Sequence, residues 1–139
     1  MVTRYELFDH TADMGVRAFA PTLAELVAPS TEGLYAAMGE LTTTGQAVAC
    51  SFDLAGTDSS LLLRDYLGEV LYLFEHRHRR LTEICVRKFT DRRLTVVGQA
   101  HAIDLAQSKL DREVKAITYH ELTIRPVPDG FEATYIVDV

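Results

Sequence analysis

Short runs of alternating apolar and polar residues occur along the chain and predict β-strands. In such a run every second side chain points to the same face of a sheet, so alternation indicates a strand with one buried face. The Asp9–Met14 turn separates the first two runs, Thr90–Arg92 separates two later ones, and Pro126–Gly130 separates the last two, which predicts antiparallel pairs. The predicted strands are Tyr5–Phe8, Gly15–Ala20, Gly45–Leu54, Ile84–Val86, Leu94–His101, Tyr119–Arg125 and Phe131–Val137.

Two segments show the three- and four-residue apolar spacing that is typical of helices packed on a core. The first opens with the capping-box pattern Thr22–Glu25, and Pro29 is expected to kink it or detach its first turn. The second begins with a cap at Asp58–Ser60 and ends in Glu75–Arg80, where cations suit a helix C-terminus. Its apolar stripe consists of Leu63, Leu67, Val70, Leu71 and Phe74.

These elements predict an α+β fold, with two helices packed on a largely antiparallel β-sheet in a single two-layer domain. We expect this domain to span residues 1–139, because the length suits one domain and the sequence contains no repeat or linker. Cys50 and Cys85 are expected to be strand-core thiols and not a disulfide pair.

Composition and charge narrow the function classes. Hydrophobic residues make up 47% and charged residues 24% of the chain, which is typical of a globular protein and not of a disordered one. The net charge of −6 argues against a general nucleic-acid binder, which needs a basic face. The sequence shows neither a signal-peptide pattern nor the roughly 18–20 apolar residues that span a bilayer, so we expect a cytoplasmic protein without membrane contact.

The acidic residues near the two ends of the sequence have three interpretations. Asp9, His10 and Asp13 are compatible with hard-cation ligands, with a turn, or with a general acid–base pair. Asp138 alone is typical of a solvated residue. If the two ends meet, Asp13, Asp138 and the terminal carboxylate of Val139 supply three anionic groups, which a divalent cation such as Ca²⁺ or Mg²⁺ prefers.

Two further positions have an ordinary and a functional interpretation. Lys115, in a polar connection, is typical of a solvated charge, and His120 is either a buried structural histidine or part of a functional surface. The basic run His76–Arg80 resembles an RNA-binding patch but is more typical of a helix C-terminus.

Three segments, taken in their order, resemble the archease family, whose members assist the RNA ligase of tRNA splicing. They are Phe8–Gly15, Glu113–His120 and the terminal Ile136–Val139. The resemblance implies that Asp13, Asp138 and Val139 bind a divalent cation, with Asp9 in support, and that Lys115 and His120 belong to the functional motif. Departures from the family pattern include Met14 for the usual Ile, Ile117 for Val, and Glu121 for the Gly that usually follows the histidine.

The resemblance also implies the function. We expect an activator of the GTP-dependent RNA-splicing ligase, which promotes ligase guanylylation and multiple turnover and contacts RNA only indirectly. Such a protein is an accessory factor and not itself an enzyme. Two alternatives from other classes remain: a stand-alone metal-dependent hydrolase that uses Asp9, His10 and Asp13, and a chaperone-like protein-binding module with an exposed apolar patch.

Overall fold

The computed structural model describes residues 2–139, so Met1, the first residue of the predicted domain, lies outside the described residues. Within residues 2–139 the chain forms two α-helices and ten strands, and a 3-10 turn at Ala24–Leu26 precedes the first helix. The helices are α1 (Val27–Met38) and α2 (Ser59–Arg77). The strands are β1 (Arg4–His10), β2 (Asp13–Ala20), β3 (Gly39–Glu40), β4 (Thr43–Ala55), β5 (Arg79–Phe89), β6 (Arg93–Ile103), β7 (Lys109–Leu110), β8 (Ala116–Ile117), β9 (Thr123–Val127) and β10 (Gly130–Asp138).

The larger sheet is built around β10. Its order is β1-β2-β10-β8, and β9 pairs with β10 as well. β2 pairs with β10 from Phe131 to Val137, so β8 and β9 share the opposite edge of β10. Helix α1 packs on β1 and β2. Alternation along β10 directs Ala133, Tyr135 and Val137 into the core, where all three are fully buried.

A second sheet carries the other helix. Its three strands have the order β4-β6-β5, and α2 packs on each of them. A short ribbon of β3 and β7 starts where α1 ends at Gly39. Gly39 has a φ of +141°, and a Cβ there would lie 2.1 Å from the carbonyl oxygen of Lys109, so this crossing requires glycine.

One hydrophobic core lies between the helices and the inner faces of both sheets. Its buried tyrosines keep their hydroxyl groups paired, as burial requires. The hydroxyl of Tyr66 lies 2.8 Å from that of Thr31, and the hydroxyl of Tyr135 donates to the carbonyl oxygen of Ser30 at 2.6 Å. These bonds join α1 to α2 and to β10.

The predicted α+β fold, with helices packed on largely antiparallel strands, is confirmed, although the strands form two main sheets and a ribbon. The predicted cap of α2 is also confirmed, whereas the pattern at Thr22–Glu25 opens the 3-10 turn, and α1 itself, which begins at Val27, has no side-chain cap. The hydroxyl of Thr22 accepts from the backbone N–H of Glu25 at 3.2 Å, and the carboxylate of Asp58 accepts from the N–H groups of Ser60 and Leu61. No helix within residues 2–139 is long and apolar enough to cross a bilayer.

Four local predictions were wrong. The second helix ends at Arg77 because His78 adopts a left-handed φ of +52°, so residues 79–80 begin β5. Residues 119–122 form a turn and not the start of a strand, and Pro126 lies within β9, an edge strand where its missing N–H costs nothing. Cys85 is exposed on β5 instead of lying in the core.

The hydroxyl of Tyr35 links α1 to β5 and generates a prediction about stability. It accepts a hydrogen bond from the backbone N–H of Leu81 at 2.8 Å, and burial raises the pKa of Tyr35 to about 12, so it stays neutral. We expect Tyr35→Phe to lower the free energy of unfolding by about 1–3 kcal/mol, because the buried N–H loses its acceptor. Tyr72→Phe, at a half-exposed position, is the matched control and should change it by about 0.5 kcal/mol or less. Urea unfolding measures both variants, and equal midpoints would contradict the assigned role of the bond.

Candidate functional site

Segments from three parts of the sequence meet at one end of the larger sheet. In β10, Val137 pairs with Met14 of β2 on one side and with Ile117 of β8 on the other. Asp138 pairs with Ala116, and the backbone N–H of Lys115 donates to the carbonyl oxygen of Asp138 at 2.8 Å. The pairing therefore brings the turn end of the first hairpin, the end of β10 and the Lys115 segment together in one place.

The register sets two aspartates side by side. His10 pairs with Asp13 across the β1–β2 hairpin, and extending the β2–β10 register by one residue sets Asp138 opposite Asp13. Residues that lie directly opposite in antiparallel strands point to the same face, with Cβ atoms roughly 4.5–5.5 Å apart. Asp13 is half-buried and Asp138 is exposed. Two carboxylates on one face at the ends of neighbouring strands offer the anionic oxygens that a divalent cation prefers.

Asp9 and Val139 relate differently to this pair. Asp9 pairs with Met14, which faces the core, so its side chain belongs to the face opposite that of Asp13. The structure therefore does not direct Asp9 toward the paired aspartates. The side chain of Val139 is half-buried and packs against the core, which holds its backbone next to Asp138.

Lys115 combines a fixed backbone with an accessible side chain. The backbone is anchored by its bond to Asp138 and by the buried side chain of Val114 just before it. The lysine side chain is exposed, and within residues 2–139 its ammonium group makes no salt bridge. An ammonium held in this way can meet an anionic group brought by another molecule.

His120 is exposed, so its interpretation as a buried histidine was wrong. Its ring packs on that of His10, with ring centroids 5.0 Å apart and an interplanar angle of 58°. The Nε2 atom of His10 also lies 3.4 Å from a carboxylate oxygen of Glu121. Sequence reasoning missed Glu121 as a contact of His10, because no periodicity relates position 10 to position 121.

The basic run His76–Arg80 divides into two parts. Arg80 pairs with Glu32 and stacks on the ring of Tyr35, and Arg79 donates to the carbonyl oxygen of Ala100 at 3.4 Å. These two arginines are therefore engaged within the protein. The His76 ring stacks on Tyr72, with centroids 4.3 Å apart. His76, Arg77 and His78 are exposed, so only this first part of the run is accessible as a basic surface.

An apolar groove of about 460 Å³ adjoins the Lys115 segment. Leu105 and Leu110 lie on its rim with 46% and 51% of their surfaces exposed, and Val114 forms part of its wall. Exposed leucines around a concavity are typical of surfaces that bind other proteins. Phe74 and Glu75, at the end of α2, complete one side.

Sequence comparison relates the chain to a known family over nearly its full length. Residues 5–139 match the profile described as the Archease protein family (MTH1598/TM1083). The chain is 30% identical to the protein archease of Thermococcus gammatolerans, covering 98% of this chain and 99% of that one. It is 29% identical to the protein archease of Methanosarcina barkeri, covering 98% and 96%.

Comparison with solved structures agrees with the fold. The solution structure of protein 1598 from Methanobacterium thermoautotrophicum superposes with a TM-score of 0.74 at 22% identity, covering 97% of this chain and 98% of that one. The crystal structure of a Thermotoga maritima protein described as an archease and possible chaperone gives a TM-score of 0.71 at 16% identity, covering 96% of each chain. At these identities the likeness concerns the fold alone.

Proposed function

Because this chain belongs to the archease family, we propose that it activates a GTP-dependent RNA-splicing ligase in tRNA splicing or RNA repair, in the cytoplasm. It promotes guanylylation of the ligase and restores multiple turnover, and it does not join RNA itself. The observation that carries the proposal is the position of β10, whose pairing brings Asp13, Asp138 and Lys115 to one end of the sheet.

Asp13, Asp138 and the Val139 carboxylate are the proposed ligands of a divalent cation, Ca²⁺ or Mg²⁺. The donor set fits, since it consists of oxygen atoms alone and hard cations prefer anionic oxygens. When bound, the cation supplies positive charge for the phosphates of the nucleotide at the ligase.

Lys115 is the residue that we propose contacts the ligase or its bound nucleotide. Its exposed ammonium can donate to a nucleotide phosphate or to a carboxylate of the ligase, and charge-assisted bonds of this kind are strong. The fixed backbone beside Asp138 keeps this cation close to the proposed metal ligands. His120 belongs to the same sequence motif as Lys115, and its side chain is also exposed.

Contact with RNA is proposed to be indirect. The chain has a net charge of −6, and Arg79 and Arg80 of the one basic run are held by internal contacts. Binding to phosphate backbones depends on accessible cations, which release counterions. A protein of this charge serves an RNA reaction better through the enzyme than through the nucleic acid.

A chaperone-like protein-binding module is the second candidate function. The groove with the exposed Leu105 and Leu110 favours it, since such a module needs an accessible apolar surface. The hydrolase alternative is less well supported. Its three residues do not share one face, because the register directs Asp9 away from His10 and Asp13.

One assay separates these functions: multiple-turnover ligation of RNA by the cognate ligase, with and without this protein. An activator increases the number of turnovers at concentrations below that of the RNA, whereas a general chaperone raises only the fraction of folded ligase. Pre-folded ligase, checked by its thermal melt, controls for that difference. Equal turnover with and without the protein would contradict the proposed activation.

The proposed cation site predicts the effect of removing one charge. We expect Asp13→Asn and Asp138→Asn each to weaken Ca²⁺ or Mg²⁺ binding by about tenfold or more, equivalent to about 1.4 kcal/mol, because each loses an anionic ligand. Asp91→Asn is the control. It removes one carboxylate charge from the turn between β5 and β6, and this variant should bind the cation with wild-type affinity. Calorimetric titration measures all three. Unchanged affinity in both site variants would remove the site.

Lys115 predicts a loss of activation without loss of fold. Lys115→Ala should change the free energy of unfolding by about 0.5 kcal/mol or less, because the side chain is exposed. It should abolish most of the stimulation of ligase guanylylation, and Lys115→Arg should restore part of it, since a planar guanidinium replaces a compact ammonium. Lys88→Ala, at an exposed position of β5, is the matched control. Full stimulation by Lys115→Ala would show that Lys115 is only a solvated charge.

A further inference from the structure

His10, His120 and Glu121 form a second cluster of metal-binding side chains, separate from the paired aspartates. One donor atom from each lies within 4.8 Å of the others, and among the described residues this is the one such group of three. We propose that this cluster binds a borderline transition-metal ion of the Zn²⁺ class. The proposal goes beyond ligase activation, and its test needs neither ligase nor RNA.

The cluster joins two segments that are remote in sequence. His10 ends β1, beside the turn of the first hairpin, while His120 and Glu121 lie in the turn that follows β8. The distance of 3.4 Å between Nε2 of His10 and Oε2 of Glu121 matches the separation of about 3.3 Å that tetrahedral geometry sets between ligands bound at about 2.0–2.1 Å. The packed rings of His10 and His120 bring the third donor into range.

The donor set selects the class of metal. Two imidazoles and one carboxylate form a combination that suits Zn²⁺, with a fourth position left for water or another ligand. Ca²⁺ and Mg²⁺ prefer oxygen and have little use for imidazole. The two proposed sites therefore differ in chemistry, although His10 and Asp13 are neighbours across the first hairpin.

Two features of the cluster bear on how it would bind a metal ion. Nδ1 of His10 is buried without a hydrogen-bond partner among the described residues, so Nε2, which lies near Glu121, is the ring nitrogen open to a metal ion. Glu121 adopts a left-handed φ of +54°, a conformation that costs a non-glycine residue energy. A bound metal ion would offset that cost through its bonds to Glu121 and the two histidines.

A metal ion here would tie the Lys115 segment to the first hairpin. The turn that carries His120 follows β8, a strand of only two residues, Ala116–Ile117. The backbone N–H of Thr118 also donates to the carbonyl oxygen of Ile136 at 2.9 Å, so the sheet anchors the start of the turn and His120 and Glu121 lie beyond that anchor. Metal bonds between the turn and His10 would hold it in place and would stabilise the folded chain in proportion to metal occupancy.

The test is titration of the full chain with zinc sulfate and with cobalt(II) chloride, against a competing chromophoric chelator. We expect His120→Ala and Glu121→Gln each to weaken Zn²⁺ binding by at least about tenfold, because loss of even an outer partner of a metal ligand costs about 10–100-fold. Bound Co²⁺ should give the intense visible absorption of a four-coordinate ion, which both variants should lose. Both substituted positions are exposed, so thermal melts in chelator should match wild type.

Two matched variants distinguish this site from the alternatives. His76→Ala removes another exposed histidine, and Asp138→Asn removes a carboxylate of the proposed hard-cation site; both should keep wild-type Zn²⁺ affinity. Loss of Zn²⁺ binding in Asp138→Asn with retention in Glu121→Gln would overturn the proposal and assign the ion to the aspartates. A six-coordinate Co²⁺ spectrum, or equal affinity in all variants, would overturn it as surface binding.

Discussion

The central position of β10 is the constraint on which the candidate site depends. This strand is paired along one edge with β2 and along the other with β8 and β9, and its core-facing side chains are fully buried. A slip of one residue would turn Tyr135 and Val137 out of the core and bring Asp138 into it, so burial specifies the register strongly. Because the register is held in this way, Asp138 is held opposite Asp13 and beside Lys115.

The charged residues in and beside the larger sheet form two groups: those paired within the protein and those exposed to solvent. Glu132 is buried, with only 6% of its surface exposed, and it is satisfied by Arg17 at 3.1 Å and Arg125 at 2.6 Å. Removing either partner would leave a buried charge incompletely paired. At the far end of the same strand, Asp138 and Lys115 are exposed and take no part in that network. β10 thus has a buried ion-pair cluster around Glu132 near its start and an exposed carboxylate, Asp138, at its end.

The alternation of side chains along the strands also decides on which face of the sheet each candidate ligand lies. His10, Asp13 and Asp138 share one face by register, whereas Asp9 belongs to the other. The turn with His120 and Glu121 reaches His10, which places a set of two imidazoles and one carboxylate beside the two aspartates. We propose that the set of oxygen donors suits a hard cation and the set with imidazoles a borderline one, according to the ligands that each kind of ion prefers.

The sequence by itself determined the elements whose signals are local. Alternation predicted the main strands, apolar spacing predicted both helices, and Asp58 was identified as the cap of α2, because these signals depend on residues a few positions apart. The segments around Asp13, Lys115 and Asp138 indicated the family in the same way. The boundary at His78 and the turn at Tyr119–Leu122 were missed, since left-handed residues other than glycine leave no clear pattern. Only the tertiary structure decided that Asp138 faces Asp13, that Arg80 is taken up by Glu32, and that Glu121 reaches His10, because each contact joins positions whose distance is set by strand pairing and packing and not by the local chain.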